Sequence, residues 1–340
     1  MQRFGKSTIL VFGGAGFIGS NFIRHLLLAH PKASVVCVDA LTYAGNKENL
    51  KGLPARRLAF IKGDIADKAL MSRLVKKYKP SYAINFAAES HVDRSIHGGA
   101  EEFVRTNVLG TAVLLGALRG AKSLKKIVQV STDEVYGALP LGSRRKFTEQ
   151  SPLAPNSPYA SSKAAADLVA RSFCVTYNLP VVITRCSNNY GPYQHPEKLI
   201  PYSITRLMEG RPVAIYGDGL YVRDWIHVDD HCAALMLALL HGKAGEIYNI
   251  GADDEVSNLS LARQLLAYFN KDESAITFVK DRPGHDRRYA IDASKIKKEL
   301  GWEPAHSLGS SFEPTIKWYV QNADWVRRAR ARAGRANTHI

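Results

Sequence analysis

The chain has 340 residues, of which 46% are hydrophobic and 23% charged, and its formal net charge is +15. This composition is typical of a globular protein with one large domain or two moderate ones. No run of about 18 apolar residues occurs, so we expect no membrane span. Apart from an arginine cluster after position 326, the basic residues are dispersed and form no aromatic-basic pattern. We therefore expect an anionic small substrate and no nucleic-acid partner.

The four cysteines lie far apart and form no C-x-x-C pair; they are Cys37, Cys174, Cys186 and Cys232. Each stands among apolar neighbours, which is typical of reduced thiols in a protein core. This pattern predicts a cytoplasmic protein.

Short β-branched runs alternate with helical patterns through the first half of the chain. The predicted strands are Thr8–Phe12, Val35–Val38, Leu58–Lys62, Tyr82–Phe86, Ile127–Ser131 and Val181–Arg185. The predicted helices between them include Asn21–Ala29, Lys68–Tyr78 and Glu102–Leu118. Because the strands are continuous apolar runs, they predict a buried parallel sheet. The fold class is therefore α/β, a doubly wound, Rossmann-like sheet with a smaller C-terminal domain.

The second half of the chain has a different composition. Residues 190–223 are rich in Pro, Gly and Tyr, and a helical run Asp230–Leu240 and a strand Ile247–Ile250 follow. We predict a larger domain over residues 1–190, to which 224–250 returns. A smaller domain covers 191–223 and 251–326, and 327–340 is a basic tail.

The first predicted strand leads into a glycine-rich turn, Gly13 to Gly19, where a helical pattern begins. Glycines let the backbone approach a pyrophosphate, and a helix N-terminus offers free N–H groups to it. Asp39 ends the next strand, where a carboxylate accepts hydrogen bonds from ribose hydroxyls and repels a 2′-phosphate. These features predict NAD, and not NADP, as the cofactor. The spacing G-x-x-G-x-x-G resembles the extended short-chain dehydrogenase/reductase family.

A second motif places a tyrosine and a lysine one helical turn apart. Ser157 is a predicted N-cap and Pro158 a first helical residue, so Tyr159 and Lys163 lie on one helix face. The pKa of free tyrosine is about 10, too high for a base at neutral pH. We expect the ammonium, the helix N-terminus and the cationic nicotinamide to lower that pKa. Tyr159 could then remove a hydroxyl proton while hydride leaves the same carbon.

Two acidic residues, Asp133 and Glu134, follow Thr132 at the end of the fifth predicted strand. In a regular strand their side chains would point to opposite faces, but the nearby Gly137 indicates that the backbone is leaving the sheet. Crowded carboxylates repel one another, which raises one pKa and allows one group to act as acid and the other as base. Their place at a carboxyl strand end favours an active site.

These motifs belong to longer blocks that resemble the dTDP-glucose 4,6-dehydratase family, from the glycine turn to about Trp325. The matching blocks are Leu41 to Asn46, Ala87 to Ser95, Ser131 to Gly137, Cys186 to Pro201, Tyr216 to Trp225 and Asp281 to Asp292. The resemblance implies that Tyr159 deprotonates the glucose 4-hydroxyl, that Thr132 bonds the 4-oxygen and that hydride passes to NAD. Glu134 would then take the C5 proton and Asp133 would protonate the departing 6-hydroxyl. Hydride would return to C6 and C5 would be reprotonated, so the recycled NAD would stay tightly bound.

The resemblance also implies the contacts of the two ligands. The cofactor contacts would be Gly13, Gly16, Phe17, Ile18, Gly19, Asp39, Leu41, Thr42, Asp64, Ile65, Ala87, Ala88, Ser90, Thr106, Tyr159, Lys163 and Asn189. The dTDP-sugar contacts would be Ser90, Thr132, Asn188, Lys198, Leu199, Arg223, Asn258, Arg282, His285 and Tyr289. Most of the second group lies in the smaller domain, which would bind the nucleotide sugar. The guanidinium groups of Arg223 and Arg282 suit phosphate oxygens.

Two further patterns concern a metal and a partner. His227 and His231 are four residues apart with Asp229 and Asp230 between them, a spacing that can bind zinc on a helix. No third ligand is evident, and the family uses no metal, so we expect none. The helices predicted at Val104–Leu118 and Ala164–Tyr177 correspond to the dimer helices of the family, which implies a homodimer.

Three other functions remain open. A UDP-glucose 4,6-dehydratase shares all of this chemistry, whereas a nucleotide-sugar 4-epimerase does not need Asp133 and Glu134. A non-catalytic NAD-binding regulator would be expected to lose Tyr159 or Lys163, and both are present. The basic segment 144–146 and the arginine-rich C-terminus have no predicted role.

Overall fold

The structure is a computed structural model that describes residues 4–336, with side chains described as far as residue 332. The strands are β1 (Thr8–Phe12), β2 (Ser34–Asp39), β3 (Leu58–Lys62), β4 (Tyr82–Asn85), β5 (Lys126–Thr132), β6 (Val181–Cys186), β7 (Asn188–Tyr190), β8 (Val213–Tyr216), β9 (Val222–His227), β10 (Ile247–Ile250), β11 (Glu255–Ser257) and β12 (Ile276–Val279). The helices are α1 (Phe17–Ala29), α2 (Lys68–Tyr78), α3 (Val92–His97), α4 (Glu101–Phe103), α5 (Gly110–Leu118), α6 (Pro158–Tyr177), α7 (Leu199–Met208), α8 (Val228–His241), α9 (Asn258–Tyr268), α10 (Ser294–Leu300), α11 (Leu308–Gln321) and α12 (Ala323–Ala336).

A seven-stranded sheet in the order β10-β6-β5-β4-β1-β2-β3 forms the centre of the molecule. All of its neighbouring strands pair in parallel. Helices α1 and α8 cover one face, while α2, α5 and α6 cover the other. The predicted doubly wound α/β fold is therefore confirmed, and the observed strand bounds differ from the predicted ones by one residue at most. Among residues 4–336, no helix is both long and apolar enough to cross a membrane.

Two helices differ from the sequence predictions in detail. Helix α1 begins at Phe17, four residues before the predicted start at Asn21. The helix predicted at Glu102–Leu118 is one continuous rod, but its middle, Val104–Leu109, is π-helical between α4 and α5. The spacing of apolar residues in a π-helical turn differs by only one residue from that in the α-helix around it. The sequence pattern therefore did not reveal the π-helical turn.

A second apolar core lies beside the sheet. The three-stranded sheet β11-β9-β7 and the pair β12-β8 pack with α7, α9 and α11 around Tyr190, Ile204, Trp225 and Tyr319. Strand β10 lies in the main sheet beside β6, whereas β9 belongs to the three-stranded sheet. The exact division of the chain into two domains stays a prediction.

The arginine-rich C-terminal segment forms helix α12, which packs through Trp325 and Ala329 on the second core. Arg328 pairs with Glu48 at 2.9 Å. The side chain of Arg335 and residues 337–340 of the predicted tail lie outside the described part of the chain.

The main sheet determines where a site can lie. Because its strands are parallel, their carboxyl ends meet at one edge, and ligands of doubly wound folds bind there. Asp39 ends β2, Asn85 ends β4 and Thr132 ends β5, so the polar residues singled out above converge on this edge.

Candidate active site

The glycine turn between β1 and α1 brings the backbone close to its surroundings. Gly13 has φ of +70°, and a Cβ added there would lie 2.6 Å from the nitrogen of Ala87. A Cβ at Gly19 would lie 2.4 Å from the carbonyl oxygen of Gly13. Gly16 is the N-cap of α1 and offers no side-chain cap, so the N–H groups of the first turn stay available. The turn fits the pyrophosphate of a dinucleotide.

Asp39 holds the neighbouring backbone in place. Its Oδ2 accepts a hydrogen bond from the N–H of Ala15 at 2.8 Å, and its Oδ1 accepts one from the N–H of Leu41 at 2.8 Å. Burial raises the pKa of this carboxyl, and the two backbone hydrogen bonds oppose the rise. Each carboxylate oxygen keeps a second lone pair that a ribose hydroxyl could use.

One cavity runs along the carboxyl edge of the main sheet. The predicted cofactor residues that line it are Gly13, Gly16, Phe17, Ile18, Gly19, Asp39, Thr42, Asp64, Ile65, Ala87, Ala88, Ser90, Thr106, Tyr159, Lys163 and Asn189. Thr132, Asp133, Glu134, Asn188 and Lys198 line the same cavity. Leu41 does not line it, because its side chain packs against the main core and only its backbone contacts Asp39.

Helix α6 starts as the sequence predicted. Ser157 is the N-cap, its hydroxyl accepting from the N–H of Ala160 at 3.1 Å, and Pro158 is the first helical residue. Tyr159 and Lys163 are both buried. The ammonium of Lys163 donates to the carbonyl of Val130 at 2.6 Å, which fixes it against β5.

The protein groups around Tyr159 act against a phenolate. We expected Lys163, the helix N-terminus and the cationic nicotinamide together to lower its pKa, and the protein groups alone raise the pKa of Tyr159 well above its usual value. Burial is the largest cause, and the negative charge of Glu134 adds to it, while a hydrogen bond with Thr132 opposes them. Burial also lowers the pKa of Lys163. The protein groups alone therefore keep the tyrosine neutral.

Asp133 and Glu134 share the cavity because the strand ends just before them. Strand β5 stops at Thr132, and Asp133–Tyr136 form a 3-10 turn, as the nearby glycine indicated. Burial raises the pKa of Asp133 well above its usual value, and Glu134 and Asp224 raise it further. Its Oδ2 is buried without a hydrogen-bond partner.

Glu134 lies in a different electrostatic environment. Burial raises its pKa as well, but the positive charges of Arg282, Arg223 and Lys198 oppose the rise. Asp133, by contrast, has mainly negative neighbours. The arrangement therefore favours a proton on Asp133 and a negative charge on Glu134.

The remaining predicted substrate residues lie outside the cavity lining, beyond Glu134. They are Leu199, Arg223, Asn258, Arg282, His285 and Tyr289. The guanidinium of Arg223 lies 4.2 Å from the ring centre of Tyr289 and donates to the carbonyl of Asp286 at 2.9 Å. Arg282 approaches Asp93 at 3.4 Å. Arg223 is buried and Arg282 half-buried, and the positive charges of both act on Glu134.

The other members of this group lie in different surroundings. His285 stacks on Tyr221 with ring centres 3.7 Å apart, and burial lowers its pKa to about 4. The Oδ1 of Asn258 is buried without a hydrogen-bond partner. Leu199 is the first residue of α7, directly after Lys198, whose ammonium donates to the carbonyl of Ser90 at 2.9 Å.

Several residues at the site escaped the sequence reasoning. Asn107, in the π-helical turn, accepts from the N–H of Glu89 at 2.9 Å and donates to the hydroxyl of Ser162 at 2.8 Å. It therefore joins the end of β4 to α6. Burial raises the pKa of Glu89 to about 7. Glu197 also lines the cavity, and its place beside Lys198 in a matched block was a usable signal. Asn107 had none.

A buried brace connects the two elements that carry the catalytic candidates. Arg185 on β6 donates to Asp167 of α6 at 2.9 Å and to the hydroxyl of Tyr136, in the 3-10 turn, at 2.9 Å. The same hydroxyl donates to Asn249 at 2.8 Å. One arginine thus ties the turn bearing Asp133 to the helix bearing Tyr159.

The two histidines of the zinc-like spacing have different partners. His231 is fully buried, and its Nδ1 is hydrogen-bonded to Asn189 at 2.8 Å. His227 is the N-cap of α8, and its Nδ1 accepts from the N–H of Asp229 at 3.3 Å.

Comparisons with known proteins agree with this geometry. The family model described as GDP-mannose 4,6 dehydratase matches residues 10–314. A dTDP-glucose 4,6-dehydratase from Xanthomonas campestris is 49% identical over 339 residues, covering 94% of this chain and 95% of the relative. The low-salt glycan biosynthesis protein Agl12 from Haloferax volcanii is 52% identical over 313 residues, covering 92% and 98%. The crystal structure of DesIV, a dTDP-glucose 4,6-dehydratase from Streptomyces venezuelae with NAD and TYD bound, matches with a TM-score of 0.90 at 50% identity, covering 95% of this chain and 99% of that one.

Proposed function

This chain belongs to the dTDP-glucose 4,6-dehydratase family, and we propose that it converts dTDP-glucose into dTDP-4-keto-6-deoxyglucose and water. The observation that supports this most directly is the 3-10 turn after Thr132. It places Asp133 and Glu134 in the same cavity as Tyr159 and Lys163. An enzyme that only oxidises and reduces C4 would not need this second acid–base pair.

NAD is the cofactor; when bound, it supplies the oxidant for C4 and then the reductant for C6, and so stays tightly bound and recycled. The residues proposed to hold it are the glycine turn, Asp39 and the other lining residues named above. Tyr159 takes the proton of the 4-hydroxyl, and Thr132 hydrogen-bonds the 4-oxygen. Lys163 lies one turn after Tyr159 on α6, and its Nζ is fixed by a hydrogen bond to the carbonyl of Val130.

The elimination of water needs a base for the proton on C5 and an acid for the hydroxyl on C6. Three positive charges oppose the protonation of Glu134. Glu134 therefore serves as the base for the C5 proton. The pKa of Asp133 is raised well above its usual value by burial and by Glu134 and Asp224. Asp133 therefore carries the proton for the departing 6-hydroxyl. The two environments thus separate the roles of two adjacent carboxyls.

The dTDP moiety is proposed to lie beside Glu134, where Arg223 and Arg282 are. Arg223 and Arg282 would bind the diphosphate through their planar guanidinium groups. Asn258, His285 and Tyr289 would bind the nucleoside, and Ser90, Asn188, Lys198 and Leu199 would complete the contacts with the sugar and diphosphate.

We further propose a homodimer in a cytoplasmic setting, without a nucleic-acid partner. Large apolar side chains are exposed on the π-helical turn and along α6: Val104 (51%), Leu109 (52%), Leu168 (58%) and Val175 (66%). The π-helical turn packs against α6, and large apolar side chains exposed on neighbouring helices are typical of a protein interface. Leu168→Glu should shift the mass in analytical ultracentrifugation from dimer to monomer. Leu220→Glu, at a residue 46% exposed elsewhere, is the matched control.

The test of the activity is incubation of the purified protein with dTDP-glucose and, separately, with UDP-glucose. Loss of one water from dTDP-glucose, measured by mass spectrometry, is the expected result. Faster conversion of UDP-glucose would favour the UDP-specific alternative, and isomerisation without loss of water would favour a 4-epimerase. A folded protein that acts on neither sugar would contradict the proposal and favour a non-catalytic regulator.

A further inference from the structure

Three imidazoles and two carboxylates meet outside the cavity, where α1, the start of α8 and the loop before α11 come together. This histidine cluster consists of His25, His227, Asp229, Asp230 and His306. One ligand atom each of His227, Asp229 and His306 lies within 4.8 Å of the others. None of the five residues lines the catalytic cavity.

The spacing of the ligand atoms is close to that of a metal site. His227 Nδ1 lies 3.7 Å from Asp229 Oδ2 and accepts a long cap hydrogen bond from the N–H of Asp229 at 3.3 Å, which a bound ion would replace. Two ligands held tetrahedrally at about 2.1 Å from a zinc ion are about 3.4 Å apart. The rings of His227 and His306 have centres 4.6 Å apart.

The groups behind the ligands orient them. Asp230 is buried, and its Oδ1 is hydrogen-bonded to His306 Nδ1 at 2.8 Å. The Oδ2 of Asp230 accepts a hydrogen bond from the backbone N–H of His306 at 2.9 Å. A carboxylate on one ring nitrogen leaves the other as a lone-pair donor, which is the usual support of a metal-binding histidine. His25 likewise bonds Asp229 Oδ1 at 2.9 Å and leaves Oδ2 available.

Charge and access suit a cation. The cluster places the carboxylate of Asp229 among the imidazoles of His25, His227 and His306. The side chains of Asp229 and His306 are 38% and 37% exposed, which leaves one side of the cluster open to solvent.

We propose that His227, Asp229 and His306 bind one divalent transition-metal ion, with zinc as the probe and water at the remaining position. Two imidazoles and a carboxylate suit zinc, cobalt and nickel better than magnesium or calcium. The ion would join α8 to the loop before α11, and through Asp229 and His25 to α1. Because the cluster lies outside the cavity, its role is to stabilise the fold and not to take part in the dehydration.

The third ligand explains why sequence spacing missed the site. His306 lies far along the chain from the other two ligands, and only the packing of its loop against α8 brings it to them. The pair that the sequence did suggest, His227 with His231, has different partners.

The experiment uses the full chain, stripped with a chelator and then titrated with Zn²⁺ by calorimetry and with Co²⁺ by visible absorption. One saturable equivalent is expected, with the cobalt spectrum of a tetrahedral site. At a zinc concentration one hundred times the Kd, the folding equilibrium constant should rise about 100-fold, measured by urea unfolding. Dehydration activity should not change.

His306→Gln and Asp229→Asn should each weaken zinc binding at least tenfold, and His241→Gln, a histidine lost from the other end of α8, should not. Asp229→Asn keeps the proposal testable if loss of the His306–Asp230 contact unfolds the chain. Absence of a saturable equivalent, or equal binding by Asp229→Asn and His241→Gln, would overturn the assignment.

Discussion

The buried pair of Arg185 and Asp167 makes a prediction whose size follows from its burial. Their side chains are only 4% and 2% exposed, and their charged atoms lie 2.9 Å apart. Asp167→Ala would leave a buried guanidinium without a counter-charge, which typically costs about 3–5 kcal/mol. We expect the free energy of unfolding to fall by that amount. Asp167→Asn keeps a hydrogen-bond acceptor but no charge, so its cost should lie between that of Ala and zero.

The assay is urea unfolding followed by fluorescence, with Glu313→Ala as the control. Glu313 forms an i,i+4 pair with Lys317 on α11, but those side chains are 60% and 56% exposed. An exposed pair of this kind contributes only about 0.3–0.5 kcal/mol. If Asp167→Ala and Glu313→Ala cost the same, burial does not determine the strength of the Arg185 pair, and the reasoning is wrong.

Other predictions concern the proposed chemistry. NAD should bind at least tenfold more tightly than NADP in equilibrium titrations, because a 2′-phosphate would meet the buried carboxylate of Asp39; equal binding would remove that role. Asp133→Asn combined with Glu134→Gln should still let dTDP-glucose reduce bound NAD, so NADH absorbance builds while product formation falls about 10²–10⁴-fold; loss of both signals in a folded protein would refute the separation of oxidation from elimination. Tyr159→Phe should abolish single-turnover NADH formation, and the wild-type rate should rise with pH because burial raises the pKa of that tyrosine; a rate like that of the wild type in Tyr159→Phe would place the base elsewhere. Asp133→Asn alone should stabilise the fold above about pH 5, because the pKa of Asp133 is raised in the folded state. The stability that Asp133 contributes to the wild type is therefore lost as the pH rises, by at most about 1.4 kcal/mol per pH unit. Parallel urea midpoints of wild type and variant from pH 5 to 8 would contradict this.

The sheet was predictable because its strands are apolar runs whose burial depends little on their partners. Val35–Val38 is buried on both faces, as a continuous β-branched run indicates. The start of α6 was equally predictable, since Ser157 and Pro158 act through local backbone chemistry. Both features are encoded within a few neighbouring residues.

The π-helical turn, the Arg185 brace and the pKa of Tyr159 are not local. Asn107 contacts Glu89 and Ser162 only because the extra residue of the π turn aims it inward, and no sequence period marks that residue. The rise in the pKa of Tyr159 that the protein groups cause was not predicted, because the sequence shows which charges are near along the chain but not how much water is excluded. In the structure, desolvation is the largest cause and Lys163 is occupied by a backbone carbonyl.

The same desolvation explains why the site needs a rigid support. Asp133, Tyr159 and Lys163 are all held where burial favours their neutral forms, which is costly in a fold of marginal stability. Their order of protonation depends on small differences in distance to Arg223 and Glu134, so a displacement of the 3-10 turn relative to α6 would change which group holds the proton. Arg185 bonds both elements at 2.9 Å and is itself buried, so it limits that displacement. The brace therefore matters to catalysis through the relative position of acid and base, although Arg185 does not line the cavity.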